Sequence, residues 1–136
     1  MTTPILHAAL PVDWAEARRT GSYAVSTRGR SLPAEGYIHA STPAQLDGVL
    51  GAFYADVKEI VLLVLDADAL TAAGSAVRWE NVPDAPDPFP HVYGAIPASV
   101  VGQGNSVSAA IPVRRDRLDQ PWPLAPTLTM LNDGGE

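Results

Sequence analysis

Cysteine is absent from the 136-residue chain. This absence excludes a disulfide framework, a thiolate nucleophile and a structural zinc site built from cysteines. Long apolar runs are also missing, because the longest, residues 60–65, is far too short to cross a bilayer. The first residues lack the basic and long apolar segments of a signal peptide, so the sequence predicts a cytoplasmic protein with no membrane partner.

Positive charge is scarce as well. Lysine and arginine total 9 against 15 aspartates and glutamates, which gives a formal net charge of −6. Because binding to a phosphate backbone normally requires a basic face, nucleic acid is not an expected partner. An acidic chain can still hold a small anionic ligand in a locally positive cleft. The cations nearest the expected groove are Arg18, Arg19, Arg28 and Arg30.

The rest of the composition, with 46% apolar and 18% charged residues, is that of one folded domain. A first strand is predicted at residues 5–10, followed by a helix that Asp13 caps and Gly21 ends. Residues 22–34 are interpreted as a surface loop.

A second strand at residues 37–40 leads into a capping box formed by Thr42 and Gln45, with Pro43 at the first helical position. The helix that follows has apolar residues at the helical period, and the pattern assigns them to the core and nothing more. These residues are Leu46, Val49, Leu50 and Phe53.

The second half of the chain alternates strands with short connections. Residues 59–66 are continuously apolar, as in a central strand covered on both faces. Further strands are predicted at residues 77–80, near Val100 and at 107–113, with a turn or short helix at 66–73 and a loop at 81–90. The domain prediction is residues 1–115, followed by a C-terminal extension, 116–136, whose end at 131–136 is expected to be disordered.

Three histidines, His7, His39 and His91, all lie in short apolar or aromatic segments rather than in charged runs. Imidazole titrates near neutrality and both donates and accepts hydrogen bonds, so this placement indicates a site. For His7, flanked by Leu6 and Ala8, a buried or edge residue without a functional role is the stronger interpretation.

Strand alternation places Tyr37, His39 and Ser41 on one face and Ile38 and Ala40 on the other. The first face suits a polar ligand, and a half-exposed sheet face is the equal alternative. Ser41 as an activated nucleophile has a base in His39 but no recognisable third member or oxyanion hole.

The chemistry of the second half centres on two motifs. Glu80 follows Trp79 at a strand end, where an indole can desolvate the carboxylate, although an exposed strand-end glutamate is the simpler interpretation. His91 and Tyr93 are spaced to share one strand face.

These segments resemble the bacterial family named domain of unknown function 952, whose activity is not established. The resemblance covers roughly residues 4–102 in order. It rests on His7, the helix from Trp14 to Gly21, residues 35–42 with Gln45, residues 62–66, Trp79-Glu80 and residues 89–94.

The chain also resembles the catalytic domain of RNA 2′-phosphotransferases, in the ADP-ribosyltransferase superfamily. The similarity lies in His7, Gly21, residues 38–41 and Leu65-Asp66. It implies an α+β fold, a split β-sandwich of two small sheets with flanking helices, that binds NAD in the cleft between the sheets. The implied function is an enzyme that cleaves the nicotinamide–ribose bond and transfers ADP-ribose to an unknown acceptor.

The same resemblance implies roles for individual residues. His7 would hydrogen-bond a ribose hydroxyl of NAD, and Ser41, in the same strand as His39, would orient the nicotinamide ribose. An aromatic side chain, Tyr37 or Tyr93, would stack on the ring. For the group that stabilises the developing ribosyl cation, the candidates are Glu80 first and His91 second.

Two alternatives stay open. A histidine-ligated, metal-dependent hydrolase would use His7, His39 and His91 with Glu80, although no two histidines have the close helical spacing of specific metal motifs. A non-catalytic nucleotide-binding module is favoured by Ala9, which stands where the enzymes often have threonine.

Overall fold

The computed structural model describes residues 4–98 and 107–124, which form an α+β fold of several small antiparallel sheets and few helices. The helices are α1 (Pro11–Thr20), α2 (Leu32–Glu35), α3 (Pro43–Phe53) and α4 (Ala67–Ala72). The strands are β1 (Ile5–Ala9), β2 (Ser22–Tyr23), β3 (Val25–Thr27), β4 (Arg30–Ser31), β5 (Ile38–His39), β6 (Glu59–Leu65), β7 (Ala76–Glu80), β8 (Phe89–Tyr93), β9 (Ile96–Pro97) and β10 (Val107–Arg114).

The first three-stranded sheet has the order β1-β6-β10, and both edge strands run antiparallel to β6. From Ile60 to Leu65 every side chain of β6 is buried, as its continuous apolar sequence predicts. Alternate residues of β6 enter two hydrophobic clusters, so this strand lies between the two halves of the core.

The second three-stranded sheet has the order β5-β8-β7. One of its faces belongs to the core, where Ile38, Val77 and Val92 pack together. The two sheets meet at an antiparallel bridge between Leu6 and Ser41, whose backbone N–H groups each donate to the other's carbonyl at 2.8 Å. This bridge joins β1 to the end of β5 and fixes the position of His7 relative to His39.

Helix α3 begins as predicted. Thr42 Oγ1 accepts from the backbone N–H of Gln45 at 3.2 Å, and Gln45 Oε1 accepts from the N–H of Thr42 at 3.0 Å. Leu46 and Leu50 are buried, as predicted for core positions, whereas Phe53 is 55% exposed and does not belong to the core. Helical periodicity identified the inward side of α3 but assigned too wide a stripe to the core.

Helix α1 differs from prediction at its start. It begins at Pro11, which suits the first helical position, so Asp13 lies within the first turn and is not the N-cap. The N-cap is Leu10, whose apolar side chain makes no cap bond. Its end is as predicted, since Gly21 is in the left-handed conformation, with φ 93°, and its N–H donates to the carbonyl of Ala17 at 2.7 Å.

Residues 22–34, interpreted as a loop, contain β2, β3, β4 and most of α2. The strands have only two or three residues, too few for an alternation pattern to be visible in the sequence. Residues 66–73 form α4 with Asp66 as N-cap, and a strand at 107–113 is confirmed. The strand expected near Val100 and the disorder expected at 131–136 lie outside the described residues.

After β10 the chain packs back onto the domain. Arg115 is buried, and its guanidinium donates to the carbonyls of Tyr54, Ala55, Val57 and Gln120 and stacks on the Trp122 ring, 4.3 Å from its centroid. Leu124 is also buried in this cluster. None of the helices within the described ranges is long and apolar enough to cross a membrane.

Candidate functional site

The second sheet carries polar and aromatic side chains on the face opposite the core. The register pairs His91 of β8 with His39 of β5 on one side and with Arg78 of β7 on the other. Since paired residues in a sheet project from the same face, the three side chains form a row across the strands. Tyr93, two residues from His91, lies on the same face, as predicted.

Glu80 and His91 form a hydrogen-bonded pair. Glu80 Oε1 accepts from His91 Nδ1 at 2.8 Å and from the hydroxyl of Tyr93 at 2.5 Å. These two donors, Tyr93 first and His91 second, hold the pKa of Glu80 below its usual value, so the carboxylate is ionised at neutral pH. The hydrogen bond to Glu80 raises the pKa of Tyr93.

The other nitrogen of His91 is a buried polar atom without a partner. His91 is 2% exposed, and among the described residues nothing forms a hydrogen bond with its Nε2. Because Nδ1–H donates to Glu80, Nε2 of the neutral ring carries the lone pair and acts as an acceptor. Because buried polar atoms of native proteins almost always have a partner, this acceptor is available to a ligand or a water molecule in the adjoining cavity.

Tyr37 stacks on His91, with ring centroids 4.2 Å apart and an interplanar angle of 20°. It also contacts His39 edge-on at 4.8 Å and Tyr93 at 5.3 Å. The backbone carbonyl of Tyr37 accepts from Ser26 Oγ at 2.5 Å, which ties this aromatic cluster to β3. Tyr37 is therefore packed against the imidazoles of its own chain.

His39 is the half-buried member of the row. Its Nε2 lies 3.6 Å from Glu35 Oε1, and the other oxygen of Glu35 lies 3.4 Å from Arg30. Burial and, second, the neighbouring His91 lower the pKa of His39, and Glu35 opposes them only in part. The ring is consequently more often neutral than a free histidine at the same pH.

His7 lies inside the core, 3% exposed. Its Nδ1 donates to the carbonyl of His39 at 2.6 Å, and its Nε2 accepts from the Tyr23 hydroxyl at 2.7 Å. The pairing of Tyr23 with Ile96 between β2 and β9 holds that hydroxyl in place. Burial lowers the pKa of His7 to about 4, so the ring is neutral at physiological pH.

A cavity of about 200 Å³ lies where the two sheets meet. His39, Ser41 and His91 reach it from the second sheet and the bridge, His7 from β1, and Phe53 from α3. Glu80 is not among the residues lining it and lies behind His91. The central cavity thus joins three imidazoles, two serines and apolar walls.

Two larger depressions extend from this central cavity. The first, of about 610 Å³, is the basic arm, lined by Arg28, Arg30, Glu35 and His39. The two arginines flank Gly29, whose positive φ of 76° makes the turn between β3 and β4. Arg18 and Arg19, on exposed parts of α1, do not line it.

The second depression, of about 650 Å³, lies between α3 and the loop at 81–88. We call it the aromatic groove, and it is defined by Phe53, Trp79, Val82, Asp87 and Phe89. Phe53 lines all three spaces, and Val82 and Phe89 line both this groove and the central cavity. The three spaces therefore adjoin one another, and we refer to them together as a cleft with two arms.

The side chains proposed for a metal site are not arranged as ligands. Within residues 4–98 and 107–124, no three His, Cys, Asp or Glu side chains are grouped to hold a metal ion. His7 directs both nitrogens at protein partners, and Glu80 directs one oxygen at His91 and Tyr93. The arrangement gives the metal-hydrolase alternative no support.

The structure thus brings six of the seven predicted site residues to one sheet face and the adjoining cavity: Tyr37, His39, Ser41, Glu80, His91 and Tyr93. His7 reaches the same cavity from the first sheet. Sequence reasoning missed Tyr23, Thr27 and Tyr54, which contact His7 or line the cavity. Each lies outside the recognised motifs, so no local pattern marked it.

Comparisons with known proteins agree with this architecture. A family model described as protein of unknown function (DUF952) matches residues 9–103, a range that includes every predicted site residue except His7. None of the curated proteins matches the chain.

Solved structures give a likeness of fold. The crystal structure of protein CC0527 from Caulobacter crescentus matches with a TM-score of 0.75 and 24% identity, over 93% of this chain and 99% of that chain. The solution NMR structure of CC0527 matches with a TM-score of 0.70 and 22% identity, over 95% and 99% of the respective chains.

Proposed function

The chain belongs to the DUF952 family of proteins of unknown function, and from the geometry of its cleft we propose that it binds NAD and cleaves the nicotinamide–ribose bond. The observation that carries this proposal is the unpaired Nε2 of His91, beside a cavity, with Glu80 fixing the opposite nitrogen. A base oriented by a carboxylate is the arrangement of a general base that accepts a proton during a reaction.

The shape and charge of the cleft support an extended anionic ligand. The basic arm holds Arg28 and Arg30, which suit the pyrophosphate of a dinucleotide. In the free protein Arg28 pairs with Asp56 and Arg30 with Glu35. When a phosphate binds, it replaces these carboxylates as the acceptor, so each arginine keeps an anionic partner. The ribose next to the pyrophosphate then lies in the central cavity, within reach of His39 and Ser41.

In the proposed reaction the bond between ribose C1′ and the nicotinamide nitrogen breaks, and its electron pair leaves with nicotinamide. A nucleophile, water or another acceptor, donates a lone pair to C1′, and its proton passes to His91 Nε2. Glu80 stabilises the resulting imidazolium by accepting the hydrogen bond from Nδ1–H. Glu80 thus acts through His91 rather than on the sugar directly.

An ADP-ribosyltransferase-like split sandwich is part of the same proposal. The two three-stranded sheets, their junction at Leu6 and Ser41, and the cavity at that junction support it. In this arrangement His7 holds the carbonyl of His39 at 2.6 Å and so positions the strand that lines the cavity. A direct hydrogen bond between His7 and a ribose hydroxyl requires the hydrogen bond from the Tyr23 hydroxyl to His7 Nε2 to break first.

A non-catalytic nucleotide-binding module is the second candidate function. The burial of His91, 2% exposed beneath Tyr37, favours it, because Nε2 must be uncovered before it reaches a ligand. Ala9, the departure that first indicated this alternative, is fully buried in the core and does not line the central cavity.

Binding and turnover are tested separately. We expect saturable binding in calorimetric titrations with NAD up to about 5 mM, and release of nicotinamide measured by liquid chromatography. His91→Gln should keep binding and lose roughly 10²–10⁴-fold in release, the range for removing a general base. Binding without release in the wild-type protein would establish the binding module, and neither binding nor release would refute both candidates.

A further inference from the structure

The aromatic groove is the part of the cleft that the proposed function leaves unused. It adjoins the central cavity at Val82 and Phe89, which line both spaces, and it meets the basic arm at Ala52 and Phe53. With about 650 Å³ it is more than three times the size of the central cavity. A second molecule can therefore approach the reacting centre along it while a dinucleotide fills the other arm.

Prolines and a side-chain hydrogen bond restrict the conformation of the groove walls. The loop at 81–88 contains three prolines, which restrict its backbone, and the side-chain amide of Gln45 donates to the carbonyl of Pro88 at 2.9 Å. Gln45 is itself fixed by the capping box of α3. A preformed groove loses little conformational entropy when a ligand enters.

Two large aromatic side chains in the groove are exposed to solvent. Trp79 is 52% and Phe53 55% exposed, and they are two of the four large hydrophobic side chains described as exposed. The face of an aromatic ring attracts both planar apolar groups and cations. Exposed rings along a groove can therefore bind a ligand that contains both a planar apolar group and a cationic group.

The charge of the groove distinguishes it from the other arm. Among the described residues that line it, Asp87 alone is charged, whereas two arginines, Arg28 and Arg30, and one carboxylate, Glu35, line the basic arm. The two arms therefore favour ligands of opposite charge, which directs the anionic dinucleotide to one and a cation to the other.

We propose that the aromatic groove binds the acceptor, and that this acceptor is a small organic cation with an aromatic or otherwise apolar body. As an assignment of the acceptor, this rests on the proposed function. The apolar body packs between Trp79 and Phe53, and the cationic group lies at Asp87.

Binding to the groove is measured on the NAD-free protein, so its outcome does not depend on turnover. The probes are phenethylamine and 3-phenylpropionate, which share a phenyl ring and two methylenes and differ in the sign of their charge. Two-dimensional NMR follows the backbone N–H groups of the non-proline residues in 79–89 and the indole N–H of Trp79. We expect saturable shifts there with phenethylamine, and affinity at least about fivefold higher than for 3-phenylpropionate.

Asp87→Asn should reduce that preference to about twofold or less, because the carboxylate supplies the discrimination. The matched control is Asp119→Asn, which removes another exposed carboxylate that does not line the groove and should leave the preference unchanged. Equal affinity for the two probes, shifts located elsewhere, or no saturation below about 20 mM overturns the proposal. Absent nicotinamide release with intact groove binding refutes the proposed function and the acceptor role, and leaves the groove as a binding site for organic cations.

Discussion

Glu80 fixes the tautomer of His91, because one carboxylate oxygen lies 2.8 Å from Nδ1 and leaves Nε2 as the acceptor. The pair spans two neighbouring strands, since Glu80 is in register with Phe89 at the end of β7 and His91 lies two residues further along β8. The side chains meet because both project from the sheet face opposite the core.

Glu80→Gln should separate binding from turnover. The amide preserves the size of the side chain but removes the negative charge, whose effect grows only as charge develops in the transition state. We expect NAD affinity to change by less than about threefold and the rate of nicotinamide release to fall by roughly 10²–10³, as for loss of one preorganised electrostatic group. Calorimetry and a nicotinamide assay measure the two quantities.

The matched control is Glu59→Gln, which neutralises a strand carboxylate on the other sheet, paired with Arg114 at 3.5 Å. It should leave both quantities unchanged. If Glu80→Gln is silent and a substitution of His91 abolishes release, the catalytic role belongs to residues 89–94 without the help of Glu80.

The parts of this site that the sequence predicted are those that local patterns encode. The capping box of Thr42 and Gln45 depends on three residues of spacing, and the common face of His39 and Ser41 on strand alternation, so both were visible in the sequence. The pairing of Glu80 with His91 depends on the register of β7 and β8, which no local pattern specifies.

Two of the sequence predictions were wrong for the same physical reason. Phe53 follows the helical period of α3, and periodicity identifies an inward side without showing whether core or cavity lies opposite it. The interpretation of residues 22–34 as a loop overlooked Tyr23, because a two-residue strand is stabilised by its distant partner β9 rather than by its own composition. Contacts between residues far apart in sequence decided both cases.

Arg30→Ala should weaken NAD binding. The guanidinium lines the basic arm and its ion pair with Glu35, at 3.4 Å, is loose enough to exchange for a phosphate. Loss of one charge-assisted contact predicts a dissociation constant about 10-fold higher by calorimetry. Arg114→Ala removes a similarly exposed arginine with an ion pair of 3.5 Å on the other sheet, and should have no effect. Equal effects of the two substitutions would show that only overall charge matters.

His7 should make the protein less stable as the pH falls. Burial lowers its native pKa from 6.5 to about 4, so between these values the unfolded chain binds a proton that the native chain does not. Stability contributed by the neutral ring is complete above pH 6.5 and is lost as the pH falls toward 4.

Urea unfolding at pH 7 and pH 5 should show a decrease in the free energy of unfolding about 2 kcal/mol larger for the wild-type protein than for His7→Gln. Other groups that titrate in this range are common to both proteins and cancel in the comparison. Parallel pH profiles for the two proteins would mean that His7 is not buried as a neutral ring.

Tyr93→Phe should move the acid limb of the pH–rate profile without abolishing activity. The Tyr93 hydroxyl donates to Glu80 at 2.5 Å and is the main cause of the lowered pKa of that carboxyl. Without this donor the pKa of Glu80 rises, so the carboxylate takes up its proton at higher pH and the acid limb shifts the same way.

A merely structural tyrosine would not produce that pattern. Removing it would lower the rate uniformly or destabilise the fold, whereas loss of a hydrogen-bond donor to an ionised pair displaces the profile and leaves the plateau above it nearly intact. Tyr23→Phe is the matched control, since its hydroxyl donates to His7 and not to Glu80. An unmoved acid limb in Tyr93→Phe, or an equal displacement in Tyr23→Phe, would show that the Tyr93 hydroxyl does not tune the pair.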